Sequence, residues 1–116
     1  MRLPNAHFCL INPTKVVEYL LSWSHGHGRA KAGFFCRFGF SSDSWTTLVD
    51  SLRHHATTSE VVKVEESAFG TRYIVEGALE TPDGRDPWVR AVWFVEHGER
   101  APRFVTAYPR SKEVRT

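Results

Sequence analysis

The residues best suited to chemistry lie in His25-Gly-His-Gly-Arg-Ala-Lys31. This is a polar, glycine-containing loop that runs into the start of a helix. A helix N-terminus presents unpaired backbone amides and favours anions such as phosphate. Imidazole trades protons near neutral pH, and a lysine one turn into the helix can hold a phosphoryl oxygen. His25 or His27, with Gly28, Arg29 and Lys31, therefore suits phosphodiester cleavage by 2′-hydroxyl attack. That reaction needs a base for the hydroxyl, an acid for the leaving oxygen and positive charge for the phosphorane. The same residues also fit a polar surface loop with no chemistry.

A second set is Arg103-Phe-Val-Thr-Ala-Tyr108. Strand alternation predicts Arg103, Val105 and Ala107 on one face and Phe104, Thr106 and Tyr108 on the other, unless a bulge intervenes. Thr106 and Tyr108 can bind phosphate or donate a proton, and Tyr108 can stack a base. An ordinary half-buried strand is the competing reading. His25 and His27 also form a His-x-His pair. Cys9, Cys36, His54 and His55 share no zinc-like spacing with it, so neither a metal nor a cofactor is expected. His54-His55 reads as a fraying helix end, and His97 in a turn is a minor candidate. No nucleophile elbow supports a serine hydrolase.

These residues need elements to position them. Asn12-Pro13 is an N-cap with proline at the first helical position, and Val16, Val17, Leu20 and Leu21 follow at helical spacing, which predicts a helix over 13–23. A second helix begins near Arg29, carries Ala32, Phe34, Phe35 and Phe38, and stops at Gly39 with Phe40 folding back. Ser42-Asp43-Ser44 offers caps for a third, with Trp45, Leu48, Val49 and Leu52 on its apolar face and an end near His54-His55.

The period then changes. Strands are predicted over 61–67, 73–79, 88–96 and 103–108, with turns at Phe69-Gly70, Pro82-Asp83-Gly84 and His97-Gly98-Glu99. The third is the most apolar and belongs in the centre. Short connections predict an up-and-down antiparallel meander. The fold class is α+β: two to three N-terminal helices packed on one face of a four-stranded sheet.

With 116 residues, 41% of them hydrophobic and 24% charged, the chain has room for one globular domain over 1–116 and is unlike a disordered segment. The net charge of +2 permits a nucleic-acid partner without demanding one. Basic residues concentrate at Arg29, Lys31 and Arg37 and again from Arg100 to Arg115, while Glu60 to Glu80 is acidic, an asymmetry that hints at a polyanion-facing side. Met1 to Leu10 lacks the apolar stretch of a signal peptide, and no run is long enough to span a membrane. Two cysteines without a metal or redox spacing fit reduced thiols in the cytoplasm.

Leu3-Pro4-Asn5-Ala6, Lys15 to Leu21, His25-x-x-Gly28-x-x-Lys31-Ala32 with Phe34-Phe35 and Phe38-Gly39-Phe40, and Pro102 to Tyr108 resemble an uncharacterised bacterial domain family of about this length. Its members occur alone and as the C-terminal part of secreted polymorphic toxins. The layout is similar to the barnase–EndoU–colicin–RelE superfamily of small metal-independent ribonucleases, which includes toxins of toxin–antitoxin pairs. The resemblance implies a nuclease site on one sheet face, with His25, Lys31, Thr106 and Tyr108 catalytic and His27, Gly28, Arg29 and Arg103 binding substrate. It also implies an RNA substrate, a 2′,3′-cyclic phosphate product and an antitoxin or immunity protein over the site. Gly26 stands where many relatives carry proline, which loosens the loop. A binding module with no catalysis, using Trp23, Trp45 and Trp88 as contact anchors, is the alternative reading.

Overall fold

A computed structural model of the protein describes residues 1–21 and 28–110, with residues 18, 19 and 28–31 given by their backbone alone. Four strands, β1 (Glu60–Glu66), β2 (Gly70–Ala78), β3 (Trp88–Glu96) and β4 (Arg103–Pro109), form one sheet in the order β1-β2-β3-β4. Every neighbouring pair is antiparallel. The predicted meander is therefore present, with the apolar β3 inside it. β2 starts three residues earlier than Tyr73 because its turn is tight: the Ser67 and Gly70 backbones bond at 2.9 Å. Pro82-Asp83-Gly84 does turn the chain, with Gly84 at φ +79°, but at the tip of a longer connection that runs from Leu79 to Pro87.

The helical half follows the sequence with three corrections. Asn12 Oδ1 accepts the Thr14 backbone N–H at 2.9 Å, the capping bond expected of Asn-Pro. The turns that follow are π-helical over Lys15–Leu20, with Leu21 N donating to Val16 O across five residues. Val16, Leu20 and Leu21 are all buried. Trp23, where the predicted helix was to end, lies outside the described residues. Helix α1 (Gly28–Arg37) ends as its sequence predicts. Gly39 sits at φ +104°, Phe40 N reaches back to Phe35 O, and the two rings pack edge-on at 6.2 Å.

Helix α2 (Trp45–Thr58) follows a 3₁₀ turn at Ser42–Ser44 and runs past the histidines at which it was predicted to stop. Neither Ser41 nor Ser44 makes a side-chain cap. His55 is no fraying end: it is fully buried, and its Nε2 donates to Gly77 O at 3.2 Å and Val89 O at 2.9 Å. These carbonyls belong to paired residues on β2 and β3, so the imidazole stitches α2 to the sheet. Gly77 is bare because a Cβ there would meet Ser59 Oγ at 2.1 Å. Ser59 caps the end of α2.

One core cluster draws Val16, Phe35, Leu48 and Leu52 from the helical segments against Val75, Val89, Ala91, Trp93, Phe104 and Ala107 from the sheet. The helical segments thus lie on one sheet face. No helix among the described residues is long and apolar enough to cross a membrane. Cys9 is a buried free thiol, and Cys36 is half-buried.

Candidate active site

The last strand decides which side chains meet. Val92 pairs with Thr106, yet the next residue, Trp93, pairs with Phe104. Val105 is therefore an inserted residue, a β-bulge in β4. Its effect is to shift the alternation by one. Phe104 and Ala107 both face the core, while Arg103, Thr106 and Tyr108 all share the opposite face, paired with Phe94, Val92 and Arg90. Simple alternation predicted Arg103 and Thr106 on opposite faces and Phe104 beside Thr106. Both expectations are corrected by this one residue. Lys15 Nζ donates to the Val105 carbonyl at 2.9 Å, so the bulge is held from the helical side.

On that outer face Glu76, Arg90 and Tyr108 form a row across β2, β3 and β4. Arg90 Nε bonds Glu76 Oε2 at 2.6 Å, with a second contact through Nη2. Arg110 Nε reaches the same oxygen at 3.2 Å. Tyr108 is the cross-strand partner of Arg90, and its hydroxyl helps hold the arginine's charge. The Glu76 side chain is only 13% exposed. Burial raises its pKa, but the hydrogen bonds and charges of Arg90 and Arg110 outweigh this and hold the carboxyl below its ordinary range. Burial likewise lowers Arg90, and Tyr108 and Glu76 more than offset that. Ile74 and Val92 are buried on the same face, so these charges interact over an apolar floor, where each is worth more than in water.

The chemistry of this set is anion binding with a proton source beside it. Two guanidiniums held by one carboxylate keep a net positive charge. Their planar forks match phosphate oxygens, and a phenol lies in the same network. Glu76, Arg90 and Arg110 were not among the candidates read from the sequence. The signal for two of them was there: each is a lone charge inside an apolar strand run, Tyr-Ile-Val-Glu76 and Trp-Val-Arg90-Ala-Val-Trp. That they face one another depends on register, which such a run does not specify.

The other predicted residues are placed less closely. Gly28, Arg29 and Lys31 occupy the first turn of α1, with only their backbone described. His25 and His27 lie outside the described residues. Lys31 precedes Phe34 by one helical turn, and Phe34 lines a groove of about 540 Å³ together with Trp88, Pro109 and Arg110. α1 therefore approaches the end of the sheet where Arg110 stands. Arg103 shares the outer face but sits at the far end of β4, paired with Glu96 at 3.4 Å. His97 is also at that far end, its Nε2 3.3 Å from Ser67 O. Trp45 and Trp88 are half-buried and Trp93 is fully buried. Among the described residues no three His, Cys, Asp or Glu side chains are placed to hold a metal ion.

No curated protein matches this chain. Among solved structures it is similar to a chain of the contact-dependent growth inhibition toxin–immunity protein complex from Klebsiella pneumoniae 342. The TM-score is 0.74 and the identity 19%, over 87% of this chain and 99% of that one. At that identity the likeness shows a shared fold. The α+β arrangement seen here is thus one that another protein adopts almost end to end, and by its match over residues 2–111 the chain belongs to the family described as Domain of unknown function (DUF6883).

Proposed function

We propose that residues 1–116 form one domain that acts as a small endoribonuclease toxin in the cytoplasm of a bacterium. The observation that carries this is the Val105 bulge, which sets Thr106 and Tyr108 on the sheet face that also carries the Glu76–Arg90–Arg110 cluster. In this reading Arg90 and Arg110 bind the scissile phosphate and stabilise the phosphorane. His25 or His27 takes the proton of the 2′-hydroxyl as its oxygen attacks phosphorus, with Lys31 adding positive charge. Tyr108 gives a proton to the departing 5′-oxygen, and Thr106 positions the phosphate. The P–O5′ bond breaks, leaving a 2′,3′-cyclic phosphate and a 5′-hydroxyl. Arg103 binds a phosphate farther along the strand. The chemistry uses acid–base groups and fixed positive charge, without a metal. The toxin–immunity complex that shares the fold supports a cognate immunity protein or antitoxin that covers this face.

Inducible expression in a bacterial host tests the reading. The parent should stop growth and fragment total RNA. The His25→Ala/Lys31→Ala double variant should do neither, and Tyr108→Phe should slow RNA loss by about a hundredfold, the usual scale of a lost general acid. Toxicity undiminished in the double variant would remove that loop from the site.

One observation favours a second reading, a non-enzymatic partner-binding module. β1 is an edge strand with Val62 and Val64 exposed along it, and Phe69 is exposed in the turn that follows. A harmless parent that leaves RNA intact would make this the better reading.

A further inference from the structure

The phosphate-binding cluster runs on into a groove, and Arg110 belongs to both. Its guanidinium closes the cluster through Glu76. It also lines the groove of about 540 Å³ with Phe34, Asp86, Pro87, Trp88 and Pro109. Trp88 precedes Arg90 by two residues on β3 and pairs with Ala78, as Arg90 pairs with Glu76. The two side chains therefore leave the same face roughly 7 Å apart along the strand. An indole, a phenyl ring and two prolines give the groove mostly apolar walls, with Asp86 also lining it and the paired guanidiniums beside it. That combination matches a nucleotide, whose charged phosphate and flat base lie side by side. In a duplex the base is stacked and paired, so only an unpaired base can enter such a groove.

Charge gives the strand a direction. A second groove, of about 350 Å³, shares Trp88 and Asp86 with the first and adds Glu60, Glu76 and Glu80. Glu76 is neutralised within the cluster and Glu60 by Arg2, while Glu80 disfavours phosphate on this side. The favourable course leads away from it, from Arg110 and Arg90 along β4 past Thr106 to Arg103.

We propose that the groove between Trp88 and Phe34 seats one unpaired base of a single-stranded RNA whose adjoining phosphate lies on Arg90 and Arg110. The inference rests on the ribonuclease reading of the cluster and names the form of its substrate.

One labelled oligoribonucleotide, free or annealed to its complement, serves as the probe, with the full chain as enzyme. Steady-state cleavage and fluorescence anisotropy are both measured. The single strand should be cleaved and the duplex spared. Trp88→Ala should raise KM for the single strand about tenfold, the scale of one lost base stack, more than it lowers kcat. Trp88→Phe keeps a ring in the groove and should recover most of the loss, which separates stacking from damage to the fold. A parent that cleaves duplex and single strand alike, or a Trp88→Ala variant with the parent's KM, overturns the base groove and leaves the nuclease standing. A parent that binds the single strand without cutting it, with binding weakened by Trp88→Ala, overturns the nuclease and keeps the groove. No binding at all overturns both.

Discussion

Glu76 is the residue on which the candidate site turns. It is a carboxylate set inside a strand, and it persists there because Arg90 and Arg110 both donate to one of its oxygens. Removing its charge leaves two partly covered guanidiniums facing a neutral group. Glu76→Gln should lower stability by about 1–3 kcal/mol in urea titrations at pH 7, the scale of hydrogen bonds to charged groups. Its pH dependence has a definite sign. The folded pKa lies below the ordinary 4.5, so its contribution is complete above that value and is lost as pH falls through the folded pKa. The parent should lose this increment below pH 4.5 and the variant should not. An identical acid limb in both would show that the network holds no stabilising charge.

At the scale of elements, the β4 bulge and the π-helical segment belong together. The inserted Val105 has a carbonyl that Lys15 satisfies from the other half of the chain. Lys15→Met keeps the aliphatic stem and removes the donor. We expect a loss of about 1 kcal/mol, faster amide exchange along β4, and a fall in RNA cleavage, because the facing of Thr106 and Tyr108 depends on the bulge. Unchanged exchange in β4 would mean that the bulge is held by the ladder alone.

At the scale of the molecule, His55 is the joint between the helical segments and the sheet. Both of its Nε2 contacts are carbonyls, so Nε2 carries the proton, and Nδ1 is buried with no hydrogen-bond partner among the described residues. Charging the ring would put a second proton where none of the described residues accepts it. Burial, chiefly, therefore depresses its pKa below 6.5, although the two carbonyls pull the other way. Unfolded chains take up this proton below pH 6.5 and the native protein does not, so stability is full above that value and declines as pH falls toward the folded pKa. The loss should reach at most about 1.4 kcal/mol per pH unit. A His55→Gln variant, less stable at pH 8, should have a flat profile from 7.5 to 5.5. Equal slopes in both would assign the loss to another group. The Glu76 step lies below this window, so the two are separable.

The order of the elements, the meander, the centre strand and the Gly39 stop were legible in the sequence, because each is encoded within a few residues: an apolar period, a cap, a turn. His55 was misread because a histidine near a helix end looks alike whether it faces solvent or the carbonyls of two strands. Glu76 and Arg90 were passed over; both are charges in apolar runs, yet nothing local says that they are opposite each other. The face taken by Arg103, Thr106 and Tyr108 was decided only by the tertiary structure. It depends on one inserted residue, and the lysine that satisfies that residue's carbonyl lies 90 positions away in the chain. Alternation is a property of a strand by itself; where it breaks is set by the strand and helical segment packed against it.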